Sequence, residues 1–407
     1  MPILSPSAPA RKPVILQVIP DLVTGGAERT TVDMARAIVE AGGTALVVSQ
    51  GGPMVAELEA AGARHITLPV KSKNPFTLWA NRNRLRALIR AKGVDLVHAR
   101  SRAPAWSSLW AARAEGKPFV TTYHGIYNQS SWFKAFYNSV MARGDRVIAN
   151  SRYTASLIAE RHPFARDRLR VIHRGSDLAA LHPAAVDPER IAALANEWGI
   201  ALPGTPGRAP ILLNLARLTA WKGQKVLIDA AARLAASGQG NITVILAGDA
   251  QGRVEYQREL TERIAAHGLS DRIRLVGHCA DVPAALALAD LAIVASVEPE
   301  AFGRAAVEAQ AACVPVIVSD LGAVPETVLA PPQVSADART GWRVPPADAA
   351  ALAAAIANAL SLSPEARTAV CDRALDHVRQ HFSVEAMCAA TLAVYRELLD
   401  TKGPGQS

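Results

Sequence analysis

The stretch EPEAFGRAAVEAQ, residues 298–310, sets two carboxylates, Glu300 and Glu308, on either side of a helix start at Phe302-Gly303. Eight residues of helical rise span at most ~12 Å, comparable with the distance from sugar to ribose in a sugar nucleotide. Carboxylates there accept hydrogen bonds from pairs of hydroxyls, and helix N-terminal amides hold phosphate or sugar oxygens. The same residues also read as a first-turn carboxylate favoured by the helix dipole and a surface glutamate. Glu308, however, sits among Ala305, Ala306, Val307, Ala309, Ala311 and Ala312, and a carboxylate in so apolar a helix needs a partner. In NLARLTAWKGQ, Arg217 and Lys222 follow an apolar run. A guanidinium fork and an ammonium point charge suit a diphosphate, although solvated loop cations would show the same spacing. Gly25-Gly26, in TGGAER, lies between a strand and a helix. Glycine there lets backbone N–H groups approach an anion, or simply makes the turn. The pattern is not the GxGxxG of dinucleotide sites.

These residues need strands to hold them, and the hydropathy pattern supplies two sets. Val14–Ile19, Thr44–Ser49, Val94–His98, Phe119–Tyr123, Arg146–Asn150 and Leu169–His173 read as continuously apolar strands, alternating with segments of helical period. From about Ser176 to Pro210, prolines and glycines interrupt one short helix around Pro188–Trp198. A second alternation follows, with strands over Ile211–Leu215, Thr243–Ala247, Ile273–Val276, Leu291–Ala295, Val314–Ser319 and Gly341–Val344. The expected fold class is α/β: two doubly wound parallel sheets facing each other across a cleft, with ligands at the carboxyl ends of the strands. The expected division is a flexible N-terminus (1–13), a first domain (14–180), a linker (181–209) and a second domain (210–382). A C-terminal helix (383–400) packing back towards the first domain and a tail (401–407) complete it.

The chain has 407 residues, half of them hydrophobic and 20% charged, which excludes disorder, a collagen and a disulfide scaffold. Cys279, Cys313, Cys371 and Cys388 form no CxxC or CxxH pair and read as buried thiols in a reducing compartment. The N-terminal residues lack the features of a signal peptide, and no run approaches the ~18 apolar residues of a membrane span. The expected localisation is therefore cytoplasmic. Residues 1–175 hold 25 Lys+Arg against 11 Asp+Glu, and the remainder 19 against 25, within an overall charge of +8. Either the first half faces an anionic surface or substrate, or its surface composition has drifted.

The E-x7-E element, Arg217 with Lys222 five residues on, the early GGAER turn and His124-Gly125 after VTTY together resemble glycosyltransferase family 4 over about residues 14–400. The resemblance implies the GT-B architecture of two Rossmann-like domains and retaining transfer from a nucleotide-diphosphate sugar. It implies that Arg217 and Lys222 neutralise the donor's diphosphate, that Glu300 with the backbone of Ala301, Phe302 and Gly303 binds the transferred sugar, and that Glu308 holds the ribose. Gly25 and Gly26 would approach the diphosphate, and His124 would sit near the reacting sugar. Asp281 falls where related enzymes contact the base, or else caps the helix containing Pro283. No Asp-x-Asp pair occurs, so no metal and no other cofactor is expected, the two cations standing in its place. The first half is also similar to family members that build the lipopolysaccharide core, including mannosyltransferases using GDP-mannose, through SKNPF, HARSRAPAW and TTYHGIYNQSS. The donor base, guanine or uracil, stays open.

On the acceptor side, His98, Arg100 and Arg102 follow a strand and could receive a carboxylate or phosphate of a glycan or glycolipid. The helical stretch Leu78–Gly93 sets Arg82, Arg86 and Arg90 opposite Leu78, Leu85, Leu88 and Ile89. It suits an anionic membrane surface or a core-packed helix with a solvated arginine face. Trp132, Phe133, Phe136 and Tyr137 beside Lys134 form a second membrane candidate or part of the core. A sugar-nucleotide epimerase of the same architecture and a two-lobed sugar-binding protein are the alternative readings, and no nucleic-acid module is present.

Overall fold

The computed structural model describes residues 12–23, 25–127 and 131–400. The proposed tail 401–407, nearly all of the proposed flexible N-terminus, and Asn128, Gln129 and Ser130 of the TTYHGIYNQSS stretch lie outside the described residues. The chain divides into two compact units, one running to Gly175 and taking in the chain from Glu385 on, the other Ser176–Val384.

The first unit is built on seven strands: β1 (Val14–Val18), β2 (Thr44–Ser49), β3 (Arg64–Thr67), β4 (Leu96–Ala99), β5 (Phe119–Tyr123), β6 (Arg146–Ala149) and β7 (Leu169–Val171). They pair in parallel in the order β3-β2-β1-β4-β5-β6-β7. Every residue of β1, β4 and β5 is buried, because helices cover both faces, and this explains the unbroken apolar runs. Only one strand goes unannounced by the sequence. β3 reads RHIT with a single aliphatic residue, and it lies at the sheet edge half exposed, where no apolar run is needed. The helix Val384–Asp400 belongs to this unit, held by Arg146 and Arg170, which both pair with Glu397.

The second unit carries β8 (Ile211–Leu215), β9 (Thr243–Ala247), β10 (Ile273–Gly277), β11 (Leu291–Val294), β12 (Val316–Ser319) and β13 (Trp342–Val344). Their parallel order is β10-β9-β8-β11-β12-β13. The pleat sends Ile211 and Leu213 into one apolar layer and Leu212 into the other. In both sheets the strand order reverses beside the first strand, β1 or β8, and loops leaving the carboxyl ends there are the natural place for a ligand. The four cysteines are free thiols.

Candidate active site

In the second unit two loops, one after β8 and one after β11, are locked together by their backbones. Gly223, at φ 71°, ends the short turn Ala220–Lys222, and a Cβ placed on it would lie 1.8 Å from the Ala295 carbonyl oxygen. Only glycine combines that left-handed conformation with so close an approach. The Val297 N–H donates to the Trp221 carbonyl at 2.8 Å. Gly248 presses from the other side, its hypothetical Cβ 1.8 Å from the Ala216 oxygen. Beneath the loop Gln224, fully buried, donates to the Arg217 carbonyl at 3.0 Å and accepts from the Tyr256 hydroxyl at 3.0 Å.

This lock brings Lys222 to Glu300. The ammonium donates to Glu300 Oε1 at 2.7 Å, the Ser296 hydroxyl donates to the same oxygen at 2.5 Å, and the Trp221 ring lies 4.2 Å from Nζ. Both charged side chains are mostly withdrawn from solvent, 15% exposed for Lys222 and 11% for Glu300. Glu300's backbone is also fixed: Gly322, at φ 67°, packs against it and its carbonyl accepts from Ala323 N–H at 2.9 Å. Gly303, at φ 86°, opens the helix Arg304–Ala311. The Phe302 ring is buried edge-on against Phe382, so only its backbone is available to a ligand. Glu308 has the partner its apolar surroundings demand, Arg304 at 3.1 Å.

Arg217 stands outside that cluster. Its side chain is exposed, with a single long hydrogen bond among the described residues, 3.5 Å, to Gln251 Oε1. Asp281 caps the helix Val282–Leu288 through Ala284 N–H and takes a two-pronged pair from Arg190 at 2.8 and 2.7 Å. That guanidinium holds the Asp281 carboxyl below the usual carboxylate range. Of its two readings, the cap is therefore the one the structure displays, and base contact by this side chain would require breaking the pair.

In the first unit Gly25, at φ 153°, precedes the helix Gly26–Glu40. A Cβ on Gly26 would fall 1.1 Å from Arg174 Nη2, so the Arg174 guanidinium lies against the helix start. His124, just after β5, is held neutral: burial drives its pKa well below the ordinary histidine value, and Arg100 and Arg174 add to the effect. Among the described residues its buried Nε2 has no hydrogen-bond partner. Arg100 is buried and bonded to Thr30 Oγ1 at 2.6 Å. His98 does not face a ligand. It is fully buried, with Nδ1 2.6 Å from the Tyr395 hydroxyl and Nε2 2.8 Å from Thr122 Oγ1. Both ring nitrogens are thus used inside the fold, which corrects its assignment to acceptor binding. Arg102 donates to Asn138 Oδ1 at 2.9 Å and stacks 4.3 Å over the Tyr127 ring.

The proposed membrane stripe is also corrected. Leu78, Leu85 and Ile89 are buried in the core, and Arg86 and Arg90 both pair with Glu115, at 2.8 and 2.7 Å. Rings that do face solvent include Phe76 and Trp79 at the start of that helix, and Trp132, Phe133 and Phe136. Among the described residues no single helix is long and apolar enough to cross a membrane, and no three His, Cys, Asp or Glu side chains converge as a metal would require.

Sequence reasoning missed Ser296, Gly223 and Gln224, although their neighbours were singled out, and it missed Arg174 and Asn150. Asn150 directly follows β6 and Arg174 lies three residues beyond the end of β7, so their place past strand ends was the available signal.

Residues 24–180 match the model of Glycosyltransferase Family 4, and residues 202–374 that of Glycosyl transferases group 1. The chain is 31% identical over 265 residues to the Lipopolysaccharide core biosynthesis mannosyltransferase LpcC of Rhizobium leguminosarum bv. viciae, covering 65% of this chain and 68% of that one. It is 30% identical over 281 residues to a D-inositol 3-phosphate glycosyltransferase of Salinispora arenicola, where the match covers 66% of this chain and 58% of that one. The crystal structure of a glycosyltransferase from Rickettsia africae superimposes with a TM-score of 0.84 at 34% identity, covering 96% of this chain and all of that one. With its two parallel-sheet units, the chain has the GT-B fold and belongs to glycosyltransferase family 4, as a hexosyltransferase.

Proposed function

We propose that the enzyme transfers a hexose, mannose in our reading, from a UDP- or GDP-linked donor to a saccharide or lipid-linked acceptor of cell-envelope glycan synthesis, with retention and without a metal. The observation that carries this reading is the Lys222–Glu300 pair, buried where the loops after β8 and β11 meet. Glu300 has oxygens to accept from sugar hydroxyls, while Lys222 supplies a fixed cation beside it. When donor hydroxyls bond to Glu300, Lys222 is released towards the diphosphate. As the sugar–phosphate bond breaks, charge grows on the leaving diphosphate, and Lys222 and the exposed Arg217 stabilise it as a cation would. The N–H groups ahead of the helix Arg304–Ala311 and the Glu308 carboxylate support the sugar and ribose ends of the donor. The neutral His124 can accept or donate one hydrogen bond at the transferred sugar without adding a charge. The mannosyltransferase relative supports the choice of sugar and of glycan.

The test is a panel of UDP- and GDP-sugars assayed in chelator, with the anomeric configuration of the product read by NMR. We expect turnover with a mannose donor and an unchanged anomer. Activity lost on chelation and restored by Mg²⁺ or Mn²⁺, or an inverted product, overturns the corresponding part of the reading.

We also propose peripheral association at the cytoplasmic face of the membrane, through Trp132, Phe133 and Phe136 with Lys134 among them. Amphipathic rings beside a cation suit the headgroup layer of an anionic bilayer. Co-sedimentation with anionic vesicles at low salt should fall when Trp132 and Phe133 become serine. A chain that ignores such vesicles refutes this part.

A further inference from the structure

Arg100 is a buried cation with no carboxylate in direct contact among the described residues. Its guanidinium is always protonated, yet it is only 3% exposed. Among the described residues its one side-chain hydrogen-bond partner is Thr30, and the Asp33 carboxyl acts on it without forming an ion pair. Its Nε–H is buried with no acceptor among the described residues. A charge removed from water normally has a partner of opposite sign; the buried Asp33 carboxyl acts on Arg100 only from beyond ion-pair distance and is shared with Arg29 and Arg36, so the guanidinium has room for an anion in direct contact.

The place for one adjoins it. Arg100, His124, Asn150 and Arg174, with Thr30 and Thr122, line a cavity of about 20 Å³, enough for one oxygen-sized guest. Three of these residues hold a buried polar atom with no partner among the described residues: Arg100 Nε, His124 Nε2 and Asn150 Oδ1. Turned over, the Asn150 amide offers its NH₂, and the neutral imidazole donates from Nε2 in one tautomer. Arg174 lies against Gly26 at the start of the helix Gly26–Glu40, whose amides add partial positive charge. The cavity's other wall is apolar or hydroxylic, with Ile148, Ile172, Met387 and Thr391, so no acidic side chain lines it.

We propose that this cavity seats one oxygen of an anionic group, carboxylate or phosphate, carried by the sugar acceptor. The inference rests on the transfer reading above for the word acceptor, and on the buried donors for the word anionic. Arg100 is the binding residue, Arg174 covers the rest of the group, and His124 meets the anchored molecule from β5.

The probe is inorganic phosphate, titrated against the melting temperature of the full chain in saturating nucleoside diphosphate at constant ionic strength. Bound phosphate stabilises by mass action, so the melting temperature should climb with its concentration beyond a potassium chloride control. Arg100→Met removes the buried charge at similar length and should abolish the climb. Arg174→Gln, nearer the surface, should weaken the apparent affinity at least tenfold and guards against misfolding of the first variant. Glucuronate and glucose 6-phosphate then separate the two sources: whichever competes with phosphate names the group, and competition by neither overturns the assignment to an acceptor. No phosphate response in the wild type, or an undiminished one in both variants, overturns the site. A nucleoside diphosphate that itself fails to raise the melting temperature would instead refute the transfer reading, which keeps the two failures apart.

Discussion

Replacing Lys222 with alanine removes the one cation in contact with Glu300 among the described residues. At 2.7 Å and an effective dielectric of about 20, the gross attraction of the pair is about 6 kcal/mol, most of it offset by desolvation of both groups. What the fold loses is the smaller quantity: a carboxylate left 11% exposed with only the Ser296 hydroxyl as partner. A lost charge-assisted bond of this kind costs about 1–3 kcal/mol, and each kcal/mol lowers the melting temperature of a domain of this size by roughly 2–4 °C. What catalysis loses is larger relative to its barrier. Removing one preorganised donor from a developing negative charge typically costs about 10²–10³ in kcat, and Lys222→Ala should fall by at least that factor. The two losses separate in Lys222→Ala/Glu300→Gln, which removes the stranded charge and should recover most of the stability and none of the turnover. Melting curves and steady-state nucleotide release on the three proteins are the assay. A single variant retaining a tenth or more of wild-type kcat, or a double variant that regains turnover along with stability, refutes the reasoning.

Three further outcomes are expected. Gly223→Ala meets both a left-handed φ and the Ala295 oxygen at 1.8 Å; it should cost more than about 2 kcal/mol and abolish nucleotide binding by calorimetry, and a variant with wild-type affinity would show that the loop lock is dispensable. Tyr395→Phe removes the hydroxyl 2.6 Å from His98 Nδ1 in a fully buried setting, and urea denaturation should show a loss of about 1–2 kcal/mol; no change would mean that the contact contributes nothing. Burial lowers the pKa of His65, His98, His124 and His162 in the folded first unit, so the unfolded chain takes up protons first, and stability present above about pH 6.5 should drain away as pH falls below it, by about 1.4 kcal/mol per pH unit for each proton. Asp33, pushed up to about 6 by burial, opposes this below that pH, so the melting temperature should fall between pH 7.5 and 5.5, and a flat or rising profile would contradict the burial of these rings.

The fold was legible because its central strands are buried on both faces and therefore apolar without interruption. Phe119–Tyr123 and Thr243–Ala247 could be bounded to the residue. β3 was not, because an edge strand such as RHIT has no such obligation. In the site, Glu300 and Lys222 stood out by type and position. Their direct contact did not, since it depends on two loops meeting through Gly223 and Ala295, 72 residues apart in the chain. His98 misled for a physical reason: its place at a strand resembles that of His124, but its side chain points to Tyr395, and periodicity cannot report a partner 297 residues away. The arginine stripe on Pro75–Lys92 was real, and Glu115, in another helix's cap, neutralises part of it.

The helix Val384–Asp400 is made after the whole of the second unit, yet Met387, Thr391 and Tyr395 close the first unit's cavity and satisfy His98. At ~5–20 residues per second, translation of the roughly 200 intervening residues takes about 10–40 s. For that interval the nascent sheet must wait with its lid missing, His98 and the Arg100 neighbourhood open to water. The first part to be synthesised is therefore the last to be finished, and a ribosome stalled anywhere in the second half would leave an unsealed lobe for chaperones to shield.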